Sequence, residues 1–465
     1  MPPTRADGVL AEDAVYAKVT RRLIPLLFVC YVVAYLDRVN VGFAKLQMVD
    51  ALKFSDAVYG FGAGIFFIGY FLFEVPSNLL LERIGARVWI ARIMITWSLV
   101  SGSFAFVEQI PWGPLPVFFG LPRVEFSFYA LRMLLGLAEA GFFPGIILYL
   151  TYWYPAARRA RAVALFMTAL AAANVLGGPL SGAIMQYADG LLGWAGWRWL
   201  FVLEAVPSMV VGFLVLLWLP DTPQKATWLT ASERDIVQRV VSADHSTSPV
   251  TPTTKRVRDA MKDRRVWALA FVYLTFAFGL YGVNFWMPTI IQELGISKTD
   301  YLRVGLISAI PWGMAGITMV LYGAHSDRTG ERRWHVAVAL LVAAGGLLGL
   351  ALSGHAIVPS VLSLTLVACG LLGSASAFWS LPTGFLQQSA AAAGIAVINS
   401  VGNLGGHFGP DMIGRIREST GSASAAFLAL AGLVASGGIV TLLATRHEAP
   451  IDASRGHHAE ADPPK

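Results

Sequence analysis

Glu82-Arg83-Ile84-Gly85-Ala86-Arg87 and Asp327-Arg328-Thr329-Gly330-Glu331-Arg332 write one pattern, acid-Arg-x-Gly-x-Arg, twice in a chain of 465 residues. Each copy follows an apolar run long enough to cross a bilayer. Gly178-Pro179 with Gly182 and Gly409-Pro410 with Gly414 form a second repeated pair. Two motifs, each at the matching place in its half, point to a chain built from two related halves. Such halves suit a carrier whose bundles rock about a central site.

The composition agrees with that reading. Hydrophobic residues make up 56% of the chain and charged residues 14%, against roughly 25% charged in a soluble domain. Mean hydropathy is +0.60. Too few charges remain to cover a water-facing surface, which excludes a soluble enzyme, a nucleic-acid binder and a disordered chain. A spanning helix needs about 20 mostly apolar residues. Twelve candidate runs meet that need, at roughly 22–43, 57–81, 88–107, 126–152, 161–188, 197–219, 267–291, 303–325, 334–353, 357–386, 391–415 and 424–445. No strand-like alternation appears, so a β-barrel is not expected. The fold class expected is all-α: a polytopic membrane protein with 12 transmembrane helices in two six-helix bundles related by a pseudo-two-fold axis.

The domain limits follow the hydrophilic breaks. The first bundle is expected at 1–220, a linker loop at 221–266, the second bundle at 267–446, and a disordered tail at 447–465. With both termini on the cytoplasmic side, that side holds 25 Lys and Arg and the other holds eight. This asymmetry favours that orientation and accounts for the net charge of +6 without nucleic acid. Cys30 and Cys369 lie in apolar runs and read as small buried hydrophobes. No metal or disulfide spacing, no cleavable leader, no cofactor and no nucleotide-binding loop are expected.

Tyr35-Leu36-Asp37-Arg38-Val39-Asn40, Phe73-Glu74-Val75-Pro76-Ser77-Asn78, Glu139-Ala140-Gly141-Phe142-Phe143-Pro144-Gly145 and Val397–Gly406 add a further layer. With the duplicated acid-Arg-x-Gly-x-Arg loops, they make the chain over about 16–446 resemble the anion:cation symporters of the major facilitator superfamily. The likeness extends to proton-coupled carriers of tartrate, sugar acids and related organic acids. It implies no enzyme activity, a small carboxylate and protons as partners, and a monomer in the inner (plasma) membrane. Two features depart from the family pattern: Glu82 stands where the superfamily motif has Asp, and Pro111-Trp112-Gly113-Pro114-Leu115-Pro116 is an apolar insert before span 4.

Ionisable side chains inside a bilayer are expensive and usually functional. The first half carries Asp37, Arg38, Glu74, Arg132, Glu139 and Glu204, whereas the second half has almost none away from its span ends. Neighbours on a helix point about 100° apart, so Asp37 and Arg38 need separate partners. Arg132 and Glu139 are two turns apart on one face of span 4. The spacing predicts that Arg132 faces Asp37 while Arg38 points into the cavity toward a carboxylate, which its planar donors suit. A static ion network is the alternative. The resemblance gives Asp37 and Glu139 proton-carrying roles, gives Arg38 the anion, and sets Tyr35, Tyr70, Trp379 and Asn399 in the cavity wall. Glu74 is expected to latch onto the Arg loops, and Glu204 to pair with Arg198. Glu82, Arg83, Gly85, Arg87, Asp327, Arg328, Gly330 and Arg332 are expected to form gates that close one end by pairing across the bundles. An aromatic carboxylate as substrate, and a receptor that binds without transport, remain the alternatives.

Overall fold

The computed structural model describes residues 5–247, 261–354, 356–385 and 388–445. The tail and Lys255, Arg256 and Arg258 of the central stretch lie outside them. The described residues are nearly all α-helical, with no strand among them. Eleven helices are individually long and apolar enough to cross a membrane. Spans 1 to 6 are Glu12–Leu52, Asp56–Ile84, Ala86–Phe106, Arg123–Thr151, Ala156–Tyr187 and Gly196–Trp218. Spans 7 to 10 are Arg264–Gln292, Tyr301–Thr329, Arg333–Leu352 and Ile357–Pro382, and span 12 is Ala423–Ala444. Span 11 is split at Leu404 into Gln388–Asn403 and Gly405–Thr420, and it completes the twelve.

Leu72, Val75, Leu217 and Leu321 stand largely exposed on the outer faces of their spans. Water would penalise each at about 25 cal/mol per Å² of apolar surface, and lipid would not. Within the first half, span 1 packs on spans 5 and 6, span 2 on span 4, and span 3 on span 6. The halves meet where span 2 lies on span 11 and span 5 on span 8, a pairing that the pseudo-two-fold axis exchanges. The repeated glycines explain why these helices come so close. A Cβ on Gly178 would stand 2.7 Å from the carbonyl oxygen of Gly305, and one on Gly60 would stand 2.5 Å from that of Pro410. Small residues let backbones touch where lipid supplies no hydrophobic drive.

Both halves leave their ends on the same side. Arg333, at the start of span 9, donates to the Leu442 carbonyl at the end of span 12, at 2.6 Å. Arg158 pairs with Glu12 at 3.1 Å and with Asp13 at 2.6 Å. The linker helix Ala231–Thr247 docks at this terminal end. Its start is a capping box, with Glu233 N–H on Thr230 Oγ1 at 3.2 Å and Thr230 N–H on Glu233 Oε2 at 2.7 Å. Lys18 Nζ holds both oxygens of the same carboxylate, at 2.9 and 2.8 Å.

Among the described residues one span is broken outright and three are interrupted for a single residue. Span 4 breaks at Ala140–Gly141, where Gly141 has φ 82°, whereas spans 1, 10 and 11 are interrupted at Asn40, Trp379 and Leu404, each of which keeps helical dihedrals. A broken helix frees backbone polar groups, which is tolerated only where protein or a cavity satisfies them. The Pro-rich insert becomes a loop with a short helix, Leu115–Phe118, at the end opposite the termini.

Candidate functional site

The interruption of span 1 and the break in span 4 frame a buried ion pair. Arg38 lies two residues before Asn40, and Glu139 is the last residue of the first half-helix of span 4. The Arg38 Nε donates to Glu139 Oε1 at 3.1 Å, and its Nη2 reaches the same oxygen. Its Nη1 lies 3.5 Å from the Tyr281 hydroxyl, contributed by span 7 of the other half. The rings of Tyr35, Phe66 and Tyr70 stand 5.6, 5.4 and 5.7 Å from the guanidinium carbon, within cation–π range. Arg38 is 7% exposed and Glu139 1%. A charge pair this dry is tolerated only when well bonded, and removing either member strands the other.

The polar network crosses between halves. Asn284 on span 7 donates to the Tyr35 hydroxyl at 3.3 Å and to Asn174 Oδ1 at 3.0 Å. Lower on the same interface, Asn399 donates to Glu74 Oε1 at 3.3 Å. Trp379 packs edge-on against Tyr273, with ring centroids 4.9 Å apart. Arg38, Glu139, Tyr35 and Tyr70 therefore come together, while Trp379 and Asn399 have other neighbours.

Several expectations fail. Asp37 does not face Arg132. Its carboxylate accepts from Trp97 Nε1 at 3.1 Å and Ser101 Oγ at 2.9 Å, and also from Ser208 Oγ. Span 1 presents Asp37 to spans 3 and 6, and the 100° step then turns Arg38 toward span 4. Arg132 bonds backbone instead, to the Gly62 carbonyl at 3.3 Å and the Ala63 carbonyl at 2.8 Å. Glu74 meets Asn399 rather than the Arg loops. Glu204 accepts from Ser181 at 2.7 Å, and Arg198 turns to Glu108 and the Ala105 carbonyl.

Among the described residues, the gate motifs bond within their own half or to the start of the linker, not across the bundles. Arg332 pairs with Asp327 at 2.7 Å, and Arg87 N–H donates to Asp221 Oδ1 at 2.9 Å. Glu82, Arg83, Asp327 and Arg328 are exposed. The turns themselves are as expected, with Gly85 at φ 102° and Gly330 at φ 67°, values that suit glycine. An ion pair that does join the halves stands at the opposite end. There Arg417 holds Asp56 at 3.0 Å and Glu293 at 2.6 Å, and Glu418 accepts from Ser55 Oγ at 2.7 Å.

Sequence reasoning missed the Arg38–Glu139 pair and the hydroxyl and indole donors around Asp37. One signal was available: Trp97 and Ser101 are four apart in an apolar span, on one helix face.

The chain resembles known proteins along most of its length. It is 48% identical over 445 residues to the "Putative tartrate transporter" of Agrobacterium vitis, covering 95% of this chain and 94% of that one. It is 36% identical to the "Inner membrane transport protein RhmT" of Escherichia coli strain K12, covering 96% and 99%. Its backbone matches a crystal structure of the D-xylose-proton symporter with a TM-score of 0.69 at 16% identity, covering 92% of this chain and 98% of that one. Residues 27–410 match the Major Facilitator Superfamily as a whole. With twelve spans in two like halves around a buried polar centre, this chain belongs to the Major Facilitator Superfamily of membrane transporters.

Proposed function

We propose that this transporter carries a small organic anion, tartrate or a related hydroxy or sugar acid, together with protons into the cell. In this reading it is a monomer of the inner membrane, with both termini cytoplasmic. Bodies 1–220 and 267–446 rock about the central site, and 221–266 tethers them. The names of the relatives support the substrate class and the membrane, and the Lys and Arg asymmetry supports the orientation.

The observation that carries the reading is the buried bond between Arg38 and Glu139. A substrate carboxylate that takes Arg38 displaces Glu139. An uncompensated carboxylate in that dry place is too costly to persist, so Glu139 takes up a proton. The site then holds one cation and one anion before and after binding. Anion and proton enter together, and each leaves more easily when the other has gone. Asp37 is the second proton carrier in this reading, and Tyr35, Tyr70, Trp379 and Asn399 line the path. The interbundle ion pair of Arg417 with Asp56 at the far end, with no pairing of the gate motifs across the bundles among the described residues, supports a state open to the cytoplasm.

Proteoliposome transport tests this. Glu139→Gln is expected to keep counterflow of labelled tartrate and to lose accumulation driven by a pH gradient. Uphill accumulation at the wild-type level in that variant would refute the role. The three rings around Arg38 favour one further reading, an aromatic carboxylate. Competition of tartrate uptake by benzoate-type acids separates the two.

A further inference from the structure

Two buried acids of the first bundle have no role in that cycle: Glu74, which meets Asn399, and Glu204. Glu204 on span 6 is 3% exposed, has a single described hydrogen bond, from Ser181, and has no partner for Oε2. Asn40 lies against it and is 1% exposed, and its amide atoms have no other partner. Spans 1 and 6 run antiparallel, so three residues along one and four along the other make a ladder. Asp37 meets Ser208 on one rung, and Asn40 meets Glu204 on the next. Ser181 also lines a cavity of about 20 Å³ between the bundles, with Asn174, Asn284, Ser308 and Trp312. That volume admits about one water.

We propose that Glu204 is a further proton-binding site, linking the interbundle cavity to Asp37 through Ser181 on one side and the Asn40–Ser208 ladder on the other. Asn40 suits both protonation states of such a site. Its Nδ2 can donate to an ionised carboxylate, and a turn of the amide presents Oδ1 to a protonated one. Among the described residues no cation pairs with Glu204. The charged group that acts on it is Asp37, span 5 presents the Ser181 hydroxyl, and Arg198 on its own helix is committed to Glu108. Two buried carboxyls so placed disfavour simultaneous ionisation, so a proton on one eases ionisation of the other.

The inference rests on proton-coupled transport and is tested by the proton-to-tartrate ratio, read from reversal potentials in proteoliposomes. The wild type is expected to move protons with tartrate. Glu204→Gln, which mimics the protonated acid, is expected to lower the ratio by one proton and to leave counterflow within about twofold. An unchanged ratio in Glu204→Gln, beside a coupled wild type, overturns the proposal. A wild-type ratio of zero overturns proton coupling itself. If Glu204→Gln yields no folded carrier, Ser181→Ala decides. It keeps the acid but cuts its link to the cavity, and is expected to slow proton-driven uptake several-fold with counterflow intact. Unchanged uptake in that variant counts against the proposal.

Discussion

Arg38 holds Glu139 in one state and is proposed to hold substrate in the other, so its geometry matters more than its charge. Lysine keeps the charge but lacks the planar fork. A hydrogen bond to a charged group is worth about 1.5–3 kcal/mol, so Arg38→Lys is expected to weaken tartrate binding about tenfold to hundredfold. Isothermal titration of purified protein measures this, and wild-type affinity would remove Arg38 from the anion site. The corrected partners of Asp37 give a second test. Asp37 and Arg132 share no hydrogen-bond partner, so their substitutions are expected to add to within about 0.5 kcal/mol in a double-mutant cycle of unfolding. A larger coupling would place them in contact. The sequence marked every one of these buried charges, because charge in an apolar run is visible without a fold. It did not pair them, because pairing depends on how each helix is rotated about its axis. The residues that set the rotation here, Trp97, Ser101 and Ser208, read as ordinary span residues.

Helices were legible as apolar runs, but their interruptions were not. A window of about 20 residues averages over a single residue such as Asn40, Trp379 or Leu404, and glycine inside a span signals close packing as often as a break. Gly60 and Gly178 prove to be packing residues, while Gly141 marks a break. The linker was legible only as a charged stretch, yet it contains a capped helix fastened to span 1. Its fastening depends on pH. The Lys18 ammonium, bonded to both oxygens of Glu233, holds that carboxyl below its ordinary range, with help from the Thr230 N–H. A depressed carboxylate stabilises fully above its unfolded value, near 4.3, and the gain is lost as pH falls through the folded value. The linker helix is therefore expected to stay docked from neutral pH down to about 5 and to loosen in stronger acid. Hydrogen exchange over 231–247, corrected for intrinsic rate, measures this. Glu233→Gln at pH 7 is expected to reproduce the acid behaviour, and protection equal to wild type would show that the bond does not hold the helix.

The duplication that revealed two bundles is silent about which end they close, since one sequence must encode both states of a carrier. The contacts between bundles supply that information. At the far end Asp56 bridges Lys45 and Arg417, at 3.0 Å each, and Arg417 also holds Glu293. Glu418 accepts from Ser55 Oγ and from the Ala57 N–H at 2.9 Å. Partly exposed ion pairs are worth up to about 1 kcal/mol each, so a single loss shifts the balance little and a combined loss shifts it more. Arg417→Gln with Glu418→Gln removes both sets of links between span 11 and span 2. A loss of about 2 kcal/mol multiplies the population open at the far end about thirtyfold. Phe67 reports it, because it is buried at the bundle interface with its ring centroid 4.3 Å from that of Tyr281. In a background with Cys30 and Cys369 replaced, Phe67→Cys in right-side-out vesicles is expected to react faster with an impermeant maleimide when the two charges are removed. The gain should vanish with saturating substrate only if substrate closes the far end again. Equal labelling with and without Arg417 and Glu418 would mean that the glycine contacts of spans 2, 5, 8 and 11 alone hold the bundles together there, and that the charges decorate a seal made by packing.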